Sequence, residues 1–273
     1  MSSLVRAFVG VLPFIAASPA ASVELVSHKS VVDFTLAPRD KPPGVASIDM
    51  RLDTEFRGSE CAGYVTRSRS ETRVTTQAGE VKIDDIRTNT FETSDGYFAF
   101  RNESYRGEKL DRRSAGSASR QDGKAVVTLT SPDEQTLDLP SGTLFPSEQM
   151  IRIIEAAIAG EKSVSLPIYD GSDDGETYYQ TSTVIFPVSR SPIDFGSETV
   201  IADSGFAAMR HWPVTFTYFE SEKGSSELTP AFRLSVIVYE NGIIRNVKLD
   251  FGTFSLIGKL TQVELLSTDP CPE

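Results

Sequence analysis

The sequence has few of the residues and motifs that carry out chemistry. Its 273 residues include 2 histidines, 2 cysteines and 1 tryptophan, without a Gly-x-Ser-x-Gly elbow, a Ser-x-x-Lys motif, a Gly-rich phosphate loop or a dinucleotide fingerprint. His28 and His211 lie at no ligand spacing from a cysteine or from each other, and we interpret His211 as a strand-end residue rather than a catalytic base. We therefore predict no catalytic residues, no metal and no cofactor, although a site assembled from distant residues stays open.

The sequence also lacks an apolar segment long enough to cross a membrane as a helix, which takes roughly 18 residues or more. The apolar run Ala7–Ala17 is only 11 residues long; it follows one positive charge, Arg6, and precedes the small residues Ser18-Pro19-Ala20-Ala21. This layout is typical of a cleavable signal peptide. We predict cleavage after Ala20 or Ala21.

The domain organisation follows from that processing. We predict that residues 1–21 form the signal peptide and that residues 22–273 form a single exported domain without a transmembrane segment. The alternative, an uncleaved N-terminal helix, would be interrupted by Pro13 and Pro19.

The chain has no excess of basic residues. Its net charge is −11, and removal of residues 1–21 takes away one Arg and no acidic residue, which leaves −12. An acidic protein is repelled by nucleic acid and by anionic lipid surfaces. A neutral or basic partner fits this charge better.

Cys61 and Cys271 are the two cysteines, 210 positions apart. Cysteines of an exported chain are more often bonded to each other than free, because the periplasm is oxidising. We predict a structural disulfide that ties the C-terminal tail to an early strand. A redox role is disfavoured, since no Cys-x-x-Cys is present.

The secondary-structure pattern is mainly β. Segments rich in Val, Ile, Thr, Phe and Tyr recur between Gly, Asp, Asn and Pro residues. The predicted strands are Val23–Leu36, Val45–Phe56, Tyr64–Thr76, Glu80–Thr93, Tyr97–Tyr105, Lys124–Thr130, Ser163–Tyr169, Thr177–Pro187, Trp212–Phe219, Ala231–Glu240, Ile243–Phe251 and Leu260–Leu266. The small, polar segment Ser114–Asp122 is predicted to be a loop.

Ser147–Ala159 is the one segment with helical periodicity, with Met150, Ile151, Ile154, Ala157 and Ile158 on one face. Ser147 is the predicted N-cap and Gly160 the predicted stop. We expect the apolar face to pack on the inner face of a curved sheet. A membrane-surface helix is the alternative, but its polar face has few Lys and Arg residues.

Asn241-Gly242 predicts a two-residue hairpin turn with positive φ at both residues. The resulting register sets Phe232 against Phe251, Leu234 against Leu249 and Val236 against Val247 on the core face. It sets Arg233 against Asp250 and Ser235 against Lys248 on the solvent face.

Several acidic groups leave two interpretations open. We interpret the loop Asp170–Glu176 as a hairpin loop rather than a calcium site, because its spacing departs from the EF-hand order. Asp53, Glu55 and the pair Asp84-Asp85 fit a solvated face better than a catalytic pair. Arg67, Arg69 and Arg73 share one strand face; they suit an anionic ligand or, as we favour, the acidic strand Glu80–Asp85.

Several stretches in a fixed order resemble the EipB-type family of cell envelope integrity proteins of Gram-negative bacteria. They are Gly142-Thr143-Leu144-Phe145-Pro146, Tyr169-Asp170-Gly171-Ser172, Trp212-Pro213-Val214 with Tyr218-Phe219, Tyr239-Glu240-Asn241-Gly242 and the run Asp250–Leu256. The resemblance covers the chain from about Val23 to Cys271.

The resemblance implies a periplasmic β-spiral: an incomplete barrel of a dozen or more antiparallel strands with one amphipathic helix, closed by a disulfide between Cys61 and Cys271. It also implies resistance to envelope stress, a functional connection with a periplasmic tetratricopeptide-repeat protein, and a cavity suited to a lipid-like ligand. No enzymatic activity is assigned to the family.

Three functions compete on this basis. The favoured one is a non-catalytic envelope protein that binds an apolar ligand or a protein partner through a concave β surface. The alternative is a periplasmic hydrolase of envelope polymers, for which two buried carboxylates would have to face each other in a cleft. A purely structural role is the third.

Overall fold

The computed structural model describes residues 23–38, 42–187, 198, 200, 205–220, 230–267 and 271. The predicted signal peptide lies outside these residues and stays a prediction. One sheet of 14 strands dominates the described part of the chain, in the order β8-β7-β6-β5-β4-β3-β2-β1-β14-β13-β12-β11-β10-β9. All its neighbouring strands are antiparallel, which confirms the mainly β prediction.

The strands occupy nearly all of the predicted positions. They are β1 His28–Leu36, β2 Val45–Ser59, β3 Gly63–Thr76, β4 Val81–Glu92, β5 Tyr97–Arg106, β6 Lys109–Gln121, β7 Lys124–Ser131, β8 Gln135–Asp138, β9 Ser163–Ile168, β10 Tyr179–Ile185, β11 His211–Glu220, β12 Pro230–Tyr239, β13 Ile244–Asp250 and β14 Ser255–Leu265. The helix α1 spans Pro146–Ala159, and a 3₁₀ turn spans Phe206–Ala208.

The sheet is not closed into a barrel, since β8 and β9 do not pair; its two ends are instead joined by packing. Leu144 forms a parallel bridge with Ile168 of the end strand β9. The following residue of each segment enters a small core: the Phe145 ring stacks on Phe98 at 5.0 Å, and Tyr169 meets Phe98 edge-on at 6.1 Å. The chain therefore forms a spiral whose ends overlap.

Helix α1 packs with its apolar side on the main core. Ile153, Ile154 and Ala157 are buried there among residues of β1, β11, β12 and β14. Gly160 ends the helix in the left-handed region at φ +78°, as predicted. Ile158, predicted on the apolar face, is 43% exposed, so that face is narrower than its sequence pattern indicates.

The predicted N-cap of α1 is wrong by two residues. Phe145 is the N-cap, Ser147 lies within the first turn, and the cap residue offers no side-chain hydrogen bond. The free N–H groups of this terminus are satisfied by a carboxylate from β4, described below.

The predicted loop Ser114–Asp122 is also wrong, because most of it forms β6. Two of its small residues have little space around them: a Cβ at Gly116 would stand 2.6 Å from the Thr128 carbonyl oxygen of the neighbouring strand β7, and Ala118 is 1% exposed. These residues have low strand propensity, and tertiary packing overrides it. The four-residue strand β8 was missed as well.

The hairpin between β12 and β13 has a different turn from the predicted one. Tyr239 N–H donates to the Ile243 carbonyl and Gly242 N–H to the Tyr239 carbonyl, both at 2.9 Å, so the loop has three residues. Of the two predicted turn residues, only Gly242 has a positive φ, at +86°. A three-residue loop ending in a left-handed glycine is a common alternative to the two-residue turn.

A bulge nevertheless restores the predicted register further along this hairpin. Asn246 has φ +51°, and the pairing shifts between Ser235 and Ile237. Beyond it, Arg233–Asp250, Leu234–Leu249 and Ser235–Lys248 pair as predicted. The predicted pair Val236–Val247 falls at the irregularity itself.

The disulfide prediction is confirmed. Cys61 lies in the turn between β2 and β3, and its sulfur is bonded to that of Cys271 with the Cα atoms 5.6 Å apart. The bond fastens the C-terminal tail beside the end of the spiral where α1 lies. No helix in the described residues has the length and apolarity to span a bilayer.

Candidate functional site

The inner face of the curved sheet is a candidate surface for a partner molecule. Directly paired residues of antiparallel strands point to the same side. The register therefore runs one inner row from Val32 through Leu52 and Ser70 to Ile86. Val32 is 5% exposed, whereas Ile86 is 44% exposed. The inner face is thus covered at one end of this row and open at the other.

The open part of the inner face is lined mainly by small hydroxyl side chains. On β3 they are Thr66, Ser68, Ser70 and Thr72, and on β4 they are Thr88 and Thr90, all partly buried or exposed. This wall has too little apolar surface to form a packed core, and it remains accessible.

Aromatic rings from the opposite strands line the same end of the spiral. Tyr179, Tyr218, Phe232, Phe251 and Phe254 form what we call the aromatic row. Tyr218 and Phe232 stack at 4.4 Å, and Phe251 stacks on Phe254 at 4.9 Å. Phe251 is 39% exposed. The row therefore reaches solvent at Phe251.

Phe232 and Phe251 were predicted to be ordinary core residues. The structure brings them together on the predicted face, with ring centroids 6.2 Å apart, but at the rim of the concavity. The sequence pattern indicates on which face of the sheet each ring lies. It does not indicate how much of that face the helix covers.

The two tyrosines of the aromatic row have buried hydroxyl groups, and the carboxyl group of Asp170 lies close enough to affect both. Burial raises the pKa of Tyr179 to about 12 and that of Tyr218 further, with the Asp170 charge adding to both. Burial likewise raises the pKa of Asp170, while the Ser172 N–H donates to its Oδ1 at 2.9 Å. Both phenols therefore stay neutral at physiological pH and act as hydrogen-bond donors at the base of an apolar surface.

A smaller apolar cavity of about 180 Å³ lies at the other end of the spiral, beside α1. Leu25, Phe56 and Met150 line it, together with His28. Burial lowers the pKa of His28, and its Nδ1 lies 2.8 Å from the Val26 carbonyl oxygen. His28 is therefore a packed, neutral residue of the strand end.

The N-terminus of α1 is held by a buried carboxylate that sequence reasoning missed. Glu92, 3% exposed at the end of β4, accepts hydrogen bonds from the Ser147 N–H at 2.8 Å and the Glu148 N–H at 2.9 Å. Burial raises the pKa of Glu92 to about 7, although these two bonds oppose the shift. A helix N-terminus favours a negative group at this place.

Glu148 has a partner of its own. Arg120 of β6 donates to both of its carboxylate oxygens at 2.8 Å and also to the Thr143 carbonyl. Two carboxylates thus face one helix terminus, but one holds the helix and the other is paired with a guanidinium. Because β6 was predicted to be a loop, the sequence offered no signal for this pairing.

The remaining predicted site residues have structural partners. His211 is 8% exposed, with Nδ1 3.1 Å from the Met209 carbonyl oxygen, and packs on Tyr239. The loop Asp170–Glu176 joins β9 to β10, and its Gly171 lies against the Phe100 ring. In the described part of the chain, no three His, Cys, Asp or Glu residues come together as metal ligands would.

The charged outer face forms a lattice of ion pairs. Asp85, on the side opposite Asp84, receives bonds from Arg69 and Arg87, each with a closest contact of 2.9 Å. Burial alone would raise the pKa of Asp85, but these two guanidinium groups outweigh it and lower the pKa. The predicted pairing of the arginine strand with the acidic strand is thus confirmed for Arg69.

Asp53 and Glu55 belong to the same lattice. Asp53 pairs with Arg51 at 3.1 Å, and Glu55 with Arg57 at 2.5 Å. A groove of about 600 Å³ crosses this face.

The fold is an open antiparallel β-spiral with one helix packed on its inner face and one disulfide cross-link. It places the protein in a β-barrel-like class with a concave inner face. The family model described as EipB-like matches residues 19–267 of the chain. The cell envelope integrity protein EipB of Brucella abortus is 37% identical over 254 residues, which is 93% of this chain and 89% of that protein.

A solved structure agrees with these matches. The crystal structure of a β-barrel-like protein with a domain of unknown function from Brucella abortus superposes with a TM-score of 0.81 and 35% identity, over 90% of this chain and 100% of that one. The chain belongs to the EipB-like family.

Proposed function

We propose that this protein is exported by a signal peptide at residues 1–21 and works in the periplasm as a non-catalytic envelope-integrity protein that holds an apolar ligand on its inner face. The name of its Brucella relative supports the envelope role. Its disulfide fits a protein that works in an oxidising compartment.

One observation supports the proposal: the aromatic row, on the inner face of the sheet, reaches solvent at Phe251. Phe251 is 39% exposed, and Ile86, on the inner row that begins at Val32, is 44% exposed. Each Å² of apolar surface removed from water gains about 25 cal/mol, so an apolar molecule placed there is stabilised. The hydroxyl groups of two residues of the row, Tyr179 and Tyr218, are buried, and that of Tyr179 donates to Asp173 at 3.4 Å, so the exposed part of the row is apolar.

The test uses the fluorescent apolar probe N-phenyl-1-naphthylamine, titrated into the mature protein. We expect saturable binding. Phe232→Ala removes a ring at the centre of the row, and we expect it to weaken binding by about tenfold or more, since burying such a ring gains roughly 1.5–3 kcal/mol.

Phe186→Ala is the matched control, because Phe186 is 49% exposed but lies just after β10, at the end away from the row. It should leave the affinity of the probe unchanged. Equal loss in both variants, or no saturable binding by the parent protein, would contradict the proposal.

The natural ligand and the protein partner can be identified from purified periplasmic protein. Mass spectrometry of protein purified from the periplasm without delipidation should detect a co-purifying lipid-like molecule. A periplasmic tetratricopeptide-repeat protein is the proposed protein partner, tested by co-purification with and without Phe232→Ala.

A further inference from the structure

A small pocket on the inner face joins the open wall of the sheet to the loop between β9 and β10. Its volume is about 140 Å³, and we call it the hydroxyl pocket. Apart from Glu103, its lining residues come from two inner rows of the register and from the loop: Thr88, Asn102 and Ser114 in one row, Ile86, Ser104 and Arg112 in the next, and Ser172 and Asp173 in the loop.

The loop is fixed against this wall of the sheet. Asn102 Nδ2 donates a hydrogen bond to the Gly171 carbonyl oxygen. Gly171 has φ +68°, and a Cβ there would stand 2.4 Å from the Phe100 ring, so only glycine fits at this close approach. The hydroxyl pocket therefore has a fixed wall on its loop side.

Several polar atoms of the hydroxyl pocket have no hydrogen-bond partner among the described residues. The Ser172 Oγ atom is buried; two neighbouring polar side chains approach it, but it makes no hydrogen bond of normal geometry. The hydroxyl groups of Thr88 and Ser104 make none. Asn102 donates through Nδ2, and its Oδ1 accepts no bond. Buried polar atoms without partners cost free energy, so these groups favour an occupant that forms hydrogen bonds.

The groups inside the hydroxyl pocket are uncharged. Its two charged side chains, Arg112 and Asp173, are both exposed, and Glu103 turns its carboxylate to the outer face, where it pairs with Arg101 at 2.7 Å. A charged group moved from water into such a pocket would lose hydration without gaining a buried counter-charge. Hydroxyl groups both donate and accept, which matches a lining of hydroxyl groups and one amide oxygen.

A run of contacts leads from the hydroxyl pocket to the aromatic row. Asp173 accepts a hydrogen bond from the Tyr179 hydroxyl at 3.4 Å, and the Tyr179 ring lies 6.1 Å from that of Phe232. Phe251 follows, 6.2 Å from Phe232. A volume of 140 Å³ is well below the roughly 300–1,000 Å³ of sites that enclose a whole small molecule. The pocket therefore fits one group of a ligand whose remainder lies outside it.

We propose that the hydroxyl pocket binds an uncharged polyhydroxyl head group, such as a single sugar ring, of the ligand whose apolar part lies on the aromatic row. Its hydroxyl groups form hydrogen bonds with Thr88, Ser104 and Ser172. This inference rests on the proposed function, and it narrows the ligand to a neutral amphiphile.

Three amphiphiles with the same octyl chain test the choice of head group. They are octyl β-D-glucoside, octyl sulfate and octyltrimethylammonium, each used below the concentration at which it forms micelles. Isothermal titration calorimetry on the mature protein measures the three affinities. We expect the glucoside to bind at least tenfold more tightly than either charged amphiphile. Equal affinities, or tighter binding of octyl sulfate through Arg112, would overturn the hydroxyl pocket.

A pair of threonine variants assigns the site. Thr88→Val replaces a hydroxyl of the pocket with a methyl group of similar shape, and we expect it to lower the affinity for the glucoside about fivefold, as the loss of one neutral hydrogen bond does. The affinity for N-phenyl-1-naphthylamine should not change. Thr90→Val is the matched control, because Thr90 lies on the same face of β4 but outside the pocket. Equal losses of glucoside affinity in the two variants would contradict the assignment.

The outcome also separates this inference from the proposed function. A protein that binds the naphthylamine but shows no preference for the glucoside keeps its apolar site and loses the hydroxyl pocket. A protein that binds neither the naphthylamine nor any octyl amphiphile overturns the proposed function, and this inference with it.

Discussion

The two halves of the inner face have the same backbone ladder and opposite side-chain chemistry. In the covered half, Val32 and Phe34 of β1 and Val247 of β13 are at most 5% exposed and pack with α1 in one core. In the open half, β3 and β4 present hydroxyl side chains, and Ile86 is left at the surface. The covered half is stabilised by side-chain burial, whereas the open half is held mainly by backbone hydrogen bonds. The side chains of the open half therefore remain accessible to other molecules.

Truncation of one apolar side chain in each half tests this division directly, and it should give the largest effect. Phe34→Ala leaves a cavity in the covered half and should lower the free energy of unfolding by about 3–5 kcal/mol. Ile86→Ala removes a side chain that is already 44% exposed, and the loss should stay within about 0.5–1 kcal/mol. Urea unfolding of both variants measures the difference, and similar losses would show that the two halves do not differ.

Most strands of both halves were predictable from the sequence, whereas β6 and the contact between β4 and the helix N-terminus were not. Alternation of apolar residues gives the strands, their faces and the pairs Leu234–Leu249 and Arg233–Asp250, because a one-residue slip would bury the wrong face. Gly116 and Ala118 carry no such signal, so β6 was missed. The position of the helix N-terminus over Glu92 depends on residues 55 positions apart, and no local pattern encodes it.

The disulfide should stabilise the end of the spiral where α1 lies, without changing the structure of the open half. Replacing both cysteines, as Cys61→Ser with Cys271→Ser, removes the constraint without leaving a free thiol. We expect a loss of about 2–4 kcal/mol, which lowers the melting temperature by several degrees. Binding of the apolar probe at 25 °C should not change. A melting temperature equal to that of the parent protein would mean that the bond does not stabilise the fold.

The ionisation of Glu92 should make the free energy of unfolding depend on pH. Its pKa in the folded protein is about 7, against an ordinary value of 4.5, because burial disfavours the charged form. A carboxyl group with a raised pKa contributes stability that is present in full below pH 4.5 and is lost as the pH rises through 7. One pKa unit corresponds to about 1.4 kcal/mol, so this loss amounts to at most about 3 kcal/mol.

The Glu92→Gln variant isolates this contribution, because glutamine keeps an acceptor for the helix N–H groups and does not ionise. The difference in unfolding free energy between the parent protein and this variant should shift in favour of the variant by up to about 3 kcal/mol between pH 4.5 and pH 7.5. Glu148→Gln is the control: it removes the ion pair that Glu148 forms with Arg120 at 2.8 Å and should destabilise the protein without removing the Glu92 carboxyl group. If the parent protein instead becomes more stable relative to the Glu92→Gln variant as the pH rises, the hydrogen bonds from the two backbone N–H groups outweigh burial and Glu92 is ionised in the folded protein.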